Sequence, residues 1–260
     1  MKFDYDIAEV APYINWVYFY HAWQLTQKAE QQRLLAEARD FLCSLQGRYS
    51  THALFRLARV HAEGDDIVID DGQGGRIPLL RQQQGDICLC LSDFISPVAD
   101  EMGFFSTSAD EGLEHDFDND PYQKMMAQLL ADRLAEATAE LLHEQVRKRL
   151  WGYAADERLS ISQMHQEQFQ GIRPAVGYPS LPDVSLNFLL DRLLDFSRIG
   201  ISLTESGAMR PHASVSGLMI AHPQARYFAV GRVGEDQLAD YARRRGLPVG
   251  TVRKFLAANL

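Results

Sequence analysis

The feature that most narrows the fold is the stretch 121–150. No glycine and no proline beyond Pro121 interrupts it, and Asp120-Pro121 supplies an N-cap residue followed by proline at the first helical position. Leu130, Leu134, Ala137 and Leu141 fall on one stripe, with Asp132, Glu136 and Glu140 on a second, acidic one at i, i+4 spacing. This pattern predicts the longest helix of the chain, to about Leu150. Such a helix must bury its apolar stripe against something broad, and the flanking sequence offers a sheet. ALFRLARV, DIVID, RIPLL, DICLCL and GFFSTSA precede it as short strand-like runs, punctuated by turns such as DGQGG at 71–75. ISLTESGAM, ASVSGLMIA and YFAVGRV follow it.

The strands come in groups separated by helices rather than in strict alternation. The expectation is an α+β fold, one domain over residues 1–260, with a central, mostly antiparallel twisted sheet and flanking helices; it is not a Rossmann fold. Further helices are predicted over 27–46, closed by Gly47, over 186–194, and over 235–245 and 248–258. Ser160 and Gln163 form a capping box for a short helix. The aromatic run PYINWVYFYHAW at 12–23 is expected to wrap onto the core, and 110–120 to form an acidic loop.

A net charge of −9 lacks the basic footprint of a nucleic-acid binder. The three cysteines, Cys43, Cys88 and Cys90, fit a reducing, cytoplasmic setting. No apolar run approaches the roughly 20 residues of a membrane span, so no membrane partner is expected.

Several site chemistries fail on inspection. DFDNDP at 116–121 lacks the glycine and the terminal glutamate of a calcium loop. His143-Glu144 meets Arg147 where a zinc-binding helix needs its second histidine. There is no nucleophile elbow, no P-loop, and no G-x-G-x-x-G after a strand. What stands out instead is GIRPAVGYPSLPD at 171–183, with two glycines and three prolines. Such a stretch is a shaped loop, either a stiff connector or a binding loop. An arginine here presents a planar fork suited to a carboxylate, and a tyrosine can border a ring.

The loop is followed in order by LTESGAM, ASVSG, HPQARYFAVGRV and DQLADYARRRGLPVGTVRKFLAANL, and preceded by EVAPYINWVYFYHAW, CLSDFISP, ADRLAEATAELLHEQVRK and WGYA. This series resembles the S-adenosylmethionine-binding activation domain of cobalamin-dependent methionine synthase. The resemblance implies that the chain binds S-adenosylmethionine and donates its methyl group to reduced cobalamin. In that role the protein needs to hold a methyl group in line with cobalt, and no acid–base machinery.

Carried over position by position, it implies that Arg173 holds the methionyl carboxylate, Asp93 takes the ammonium, and Glu136 is a further polar contact. The backbone of Pro174, Ala175 and Gly177 would face the adenosyl part, bordered by Tyr178 and Tyr227. The likeness fills the chain, so the expected partners are cobalamin-binding methionine synthase modules engaged in trans, with a flavodoxin-like reductant. Other readings are a non-catalytic S-adenosylmethionine sensor or docking module, an activator of a different corrinoid methyltransferase, or an independent small-molecule methyltransferase. Leu181 and Val184 depart from the family's cysteine and histidine, Arg210 and His212 from its tryptophan and glycine, and Phe228 from its second tyrosine.

Overall fold

The computed structural model describes residues 1–72 and 75–260; the DGQGG turn lies partly outside the described residues. Strands are β1 (Lys2–Asp6), β2 (Ser50–Glu63), β3 (Asp66–Ile69), β4 (Arg76–Pro78), β5 (Asp100–Ala109), β6 (Ser202–Leu203), β7 (Met209–Arg210) and β8 (Ser214–Met219). Helices are α1 (Ile7–Val10), α2 (Trp16–Ala22), α3 (Lys28–Leu45), α4 (Gly112–His115), α5 (Pro121–Gln145), α6 (Ile161–His165), α7 (Asn187–Leu194), α8 (Glu235–Arg245) and α9 (Val249–Phe255).

The main sheet runs β4-β3-β2-β5-β8, with β1 on the same edge of β2 as β3. Every pairing in it is antiparallel, which is the expected α+β arrangement and leaves no Rossmann crossover. Strand β2 is 14 residues long and pairs with β5 from Thr51↔Ala109 to Val60↔Asp100. Alternation along the strands sends neighbours to opposite faces. Ala53, Phe55 and Phe105 pack under α5 and the N-terminal helices, where Phe19 from the aromatic run is fully buried. Leu54, Phe104 and Leu218 pack on the other face against Leu186, Leu190 and Leu194 of the α7 region.

Covered on both sides, β5 still carries three hydroxyls, and each is satisfied. Ser106 Oγ donates to Val215 O (3.2 Å), Thr107 Oγ1 to Ala135 O of α5 (2.9 Å), and Ser108 Oγ to Ile199 O (2.8 Å). The Thr107 bond ties α5 to the sheet in register as well as in contact, while the other two tie β5 to β8 and to the 196–199 turn.

Helix α5 begins as its sequence dictates, with Asp120 Oδ1 accepting from Tyr122 N (2.9 Å) and Gln123 N (3.2 Å). Its regular turns end at Gln145, and a π-helical turn over Val146–Leu150 completes the predicted length. The capping box of α6 forms: Ser160 N donates to Gln163 Oε1 (2.9 Å) and Gln163 N to Ser160 Oγ (3.3 Å). Two expected strands are absent. DICLCL is a loop held by Gln82 N to Leu89 O (2.9 Å), and YFAVGRV is tied at scattered points, among them Val230 N to Pro179 O (2.8 Å), Val233 N to Asn259 O (2.7 Å) and Gln82 Nε2 to Ala229 O (2.8 Å). Neither finds a sheet edge with which to form a ladder. The acidic 110–120 segment is not loop throughout, because α4 forms within it.

His52 bridges the N-terminal strand and the start of the acidic segment, with Nδ1 on Asp4 (2.6 Å) and Nε2 on Asp110 (2.8 Å). The Asp110 bond above all, then Asp4, raises the imidazole pKa above its ordinary value against the opposing effect of burial. The bridge therefore contributes stability that is complete below about pH 6.5 and lost as pH rises through the folded-state pKa. Urea unfolding at pH 6 and pH 9 should show a drop in midpoint that shrinks in His52→Gln; equal drops in both proteins would refute the bridge.

Candidate functional site

The 171–183 loop is positioned by the sheet. Residues 172–176 lie antiparallel beside β8 as an irregular extra strand, with bridges Ile172↔Ile220 and Ala175↔Gly217. Leu218 N donates to Pro174 O (3.0 Å) and Val176 N to Ser216 O (2.9 Å). This approach requires Gly217, since a Cβ there would stand 2.2 Å from Pro174 O and 2.9 Å from Ala175 Cα. After Gly177, at φ +88°, the chain turns back, with Tyr178 N on Ala175 O (3.2 Å) and Gly177 N on Leu181 O (2.8 Å). The far end is anchored by buried Asp183, whose carboxylate accepts from Ser185 N (2.9 Å) and Tyr241 Oη (2.8 Å) and pairs with Arg245. Helix α8 thus holds the loop's exit.

Between this loop and α5 opens a cleft of about 680 Å³. One wall is the α5 stripe of Arg133, Glu136 and Glu140, spaced i, i+3, i+7 so that all three face the same side. The opposite wall is Arg173, Pro174, Ala175 and Tyr178. Tyr13, Asn15 and Tyr18 close one end, His165 and Glu167 from the end of α6 another, and Tyr227 with Phe228 the rim.

Arg173 is largely buried, 13% exposed at its side chain, and donates through Nη2 to Glu140 Oε1 (2.5 Å) and through Nη1 to Ala139 O (3.1 Å). Burial would depress both charges, but each partner holds the other ionised: Arg173 stays above its ordinary pKa and Glu140 below. The Arg173 amide donates to Tyr227 Oη (2.8 Å), and Tyr178 Oη donates to Glu136 Oε1 (2.9 Å). Burial, then the neighbouring Glu136, pushes the Tyr178 phenol up to about 12, so it remains a donor at neutral pH. Glu167 sits at φ +57°, and its carboxyl is raised by burial and then by Glu140. His165 Nε2 is committed to Tyr13 O (2.9 Å).

Of the residues singled out in the sequence, Glu136, Arg173, Pro174, Ala175, Tyr178 and Tyr227 line this one cleft. Gly177 shapes the turn without lining it. Asp93 requires correction. It lies outside the cleft, where its carboxylate accepts from Arg81 Nη1 (2.8 Å) and Nη2 (2.6 Å) and from Cys90 N (2.8 Å). Burial alone would raise that carboxyl; the Arg81 pair overrides it and keeps it ionised as a structural ion pair. Sequence reasoning missed Tyr13, Asn15, Tyr18, Arg133, His165 and Glu167. Glu140 was visible on the acidic stripe, but its pairing with Arg173 was not.

The cleft sets two arginines, Arg133 and Arg173, among the carboxylates of Glu136, Glu140 and Glu167, the complement of a small molecule carrying both a carboxylate and positive charge. The model of the vitamin B12 dependent methionine synthase activation domain matches residues 6–246. The chain belongs to that family. The crystal structure of the MetH reactivation domain bound to AdoHcy superposes with a TM-score of 0.94 at 38% identity, covering 100% of this chain and 90% of that one. The activation domain's mixed fold, a curled antiparallel sheet flanked by helices, is therefore this chain's fold. Among the described residues, no helix is long and apolar enough to cross a membrane.

Gly217→Ala should push the activation domain's loop off β8. The overpacking is expected to cost about 1–3 kcal/mol, read by urea unfolding. An unchanged midpoint would mean that the loop is not set by this contact.

Proposed function

We propose that this protein binds S-adenosylmethionine in the cleft between α5 and the 171–183 loop and presents its methyl group to reduced cobalamin carried by methionine synthase modules. The observation that carries the reading is Arg173. A buried guanidinium, fixed on a loop that the sheet holds rigid, faces a cleft whose other walls carry Glu136, Glu140, Glu167 and aromatic side chains, with Arg133 beside Glu136. Its fork is suited to the methionyl carboxylate. Glu136 and Glu167 supply negative charge for a ligand that carries an ammonium and a sulfonium, with Glu136 held in place by Tyr178. Asn15, which lines the cleft while capping α2 through Val17 N (3.2 Å), offers a neutral oxygen. The Ala175 edge turned away from β8 suits a purine edge, and Tyr178 and Tyr227 border the ring.

In this reading, cobalamin held by the partner module, kept reduced by a flavodoxin-like donor, would supply the nucleophile that accepts the methyl group. The methyl–sulfur bond would break as that nucleophile's electron pair bonds the methyl carbon, and S-adenosylhomocysteine would remain in the cleft with the sulfur's electron pair. The chain's own residues contribute alignment and water exclusion, which are worth several kcal/mol when the reacting atoms are held in near-attack geometry. Tyr18 (57% exposed) and Tyr178 (51%) give the mouth an aromatic edge against which a flat macrocycle can rest.

Calorimetric titration of S-adenosylmethionine and S-adenosylhomocysteine into the protein tests the reading. Saturable binding is expected, weakened in Arg173→Ala by about 1.5–3 kcal/mol, roughly one to two decades in Kd. Asp93→Asn should lower the unfolding midpoint and leave the affinity unchanged. Absence of binding to the intact protein, or an unimpaired Arg173→Ala, would reject the site.

A further inference from the structure

An arginine on a loop binds a carboxylate well only if its fork is already aimed. In this protein both terminal nitrogens of Arg173 are held from one turn of α5: Nη1 by the Ala139 carbonyl and Nη2 by the Glu140 carboxylate. What remains for a ligand is the rest of the fork, turned to the cleft. Behind Glu140 the same helix stripe continues inward as His143 and Arg147, both 0% exposed. Arg147 makes a two-point pair with Glu157 (2.8 and 2.7 Å) and sits over the Phe169 ring (4.3 Å), against which His143 packs edge-on (4.9 Å).

His143 Nε2 meets Tyr153 Oη (3.2 Å), whose own hydrogen goes to Gln170 O (3.4 Å). The imidazole therefore donates there, and its Nδ1 is an acceptor. Glu140 Oε2, His143 Nδ1 and Arg147 Nη1 are buried with no hydrogen-bond partner among the described residues. One donor and two acceptors along one stripe are the complement that internal water satisfies. Glu140 thus stands at the cleft end of a buried polar stripe.

We infer that Glu140 is the positioning residue for Arg173, setting the guanidinium's orientation so that the ligand's amino-acid end binds a preformed fork. The inference rests on the proposed S-adenosylmethionine site. It separates cleanly from that site's other contacts, because it concerns only the amino-acid end of the ligand.

The test compares S-adenosylhomocysteine with 5′-methylthioadenosine, the same nucleoside thioether without the amino-acid end, by calorimetry. Glu140→Ala should weaken S-adenosylhomocysteine roughly tenfold or more and leave 5′-methylthioadenosine within about twofold, the size of one misaligned charge-assisted contact. Glu140→Gln, which keeps an acceptor for Nη2, should restore most of the loss. Should Glu140→Ala not fold, Glu140→Asp, which withdraws the oxygen by one methylene, is expected to show the same selective loss.

An equal loss for both ligands, or an S-adenosylhomocysteine affinity that is unchanged or tighter, would overturn the assignment while leaving the cleft's function intact. Binding of neither ligand to the unaltered protein would overturn both.

Discussion

The contact on which the rest of the site depends is main chain against main chain. Where residues 172–176 lie along β8, Gly217 presents no Cβ, and Pro174 O and Val176 N reach Leu218 N and Ser216 O across the gap. That approach makes the loop an extension of the sheet, so Arg173 and Tyr178 inherit the rigidity of strands buried on both faces. On the other wall, Thr107 Oγ1 reaching Ala135 O ties α5 to the neighbouring strand β5. The two walls of the cleft are thereby referenced to adjacent strands, and their separation is a property of the sheet.

Charge is distributed to match. The protein carries ion pairs whose role is structural: the half-buried Arg81 with Asp65 and Asp93, and the buried pairs Arg244 with Asp66 and Arg245 with Asp183. Each staples the C-terminal helices or a connecting loop to the sheet. Arg173 with Glu140 has the same chemistry but lines the cleft. Its position in the cleft, and not its pKa, sets it apart from those staples.

Much of this was legible in the sequence. The helix starts followed from local rules, as Asp120-Pro121 and the Ser160–Gln163 box show, and the grouping of strands gave the antiparallel class. The loop announced itself by its glycines and prolines. The failures have one physical cause, which is that local sequence does not state partners. DICLCL and YFAVGRV have strand composition but meet no free sheet edge. Asp93 was carried over from resemblance as a ligand group, whereas Arg81, twelve positions upstream, neutralises it in the fold. Asn15 and Glu167 carry no distinguishing local signal, because only tertiary packing brings them to the cleft.

The cleft draws its walls from five stretches, around 13–18, 133–140, 164–167, 173–180 and 215–228, that span most of the chain. A site so dispersed exists only when the whole domain is folded, and no local fragment can retain part of it. Occupancy is therefore linked to global folding: a ligand at a hundred times its Kd would add about 2.7 kcal/mol to the stability of the entire chain. In a cell, the protein's resistance to unfolding and proteolysis would then rise and fall with the supply of whatever ligand fills the cleft.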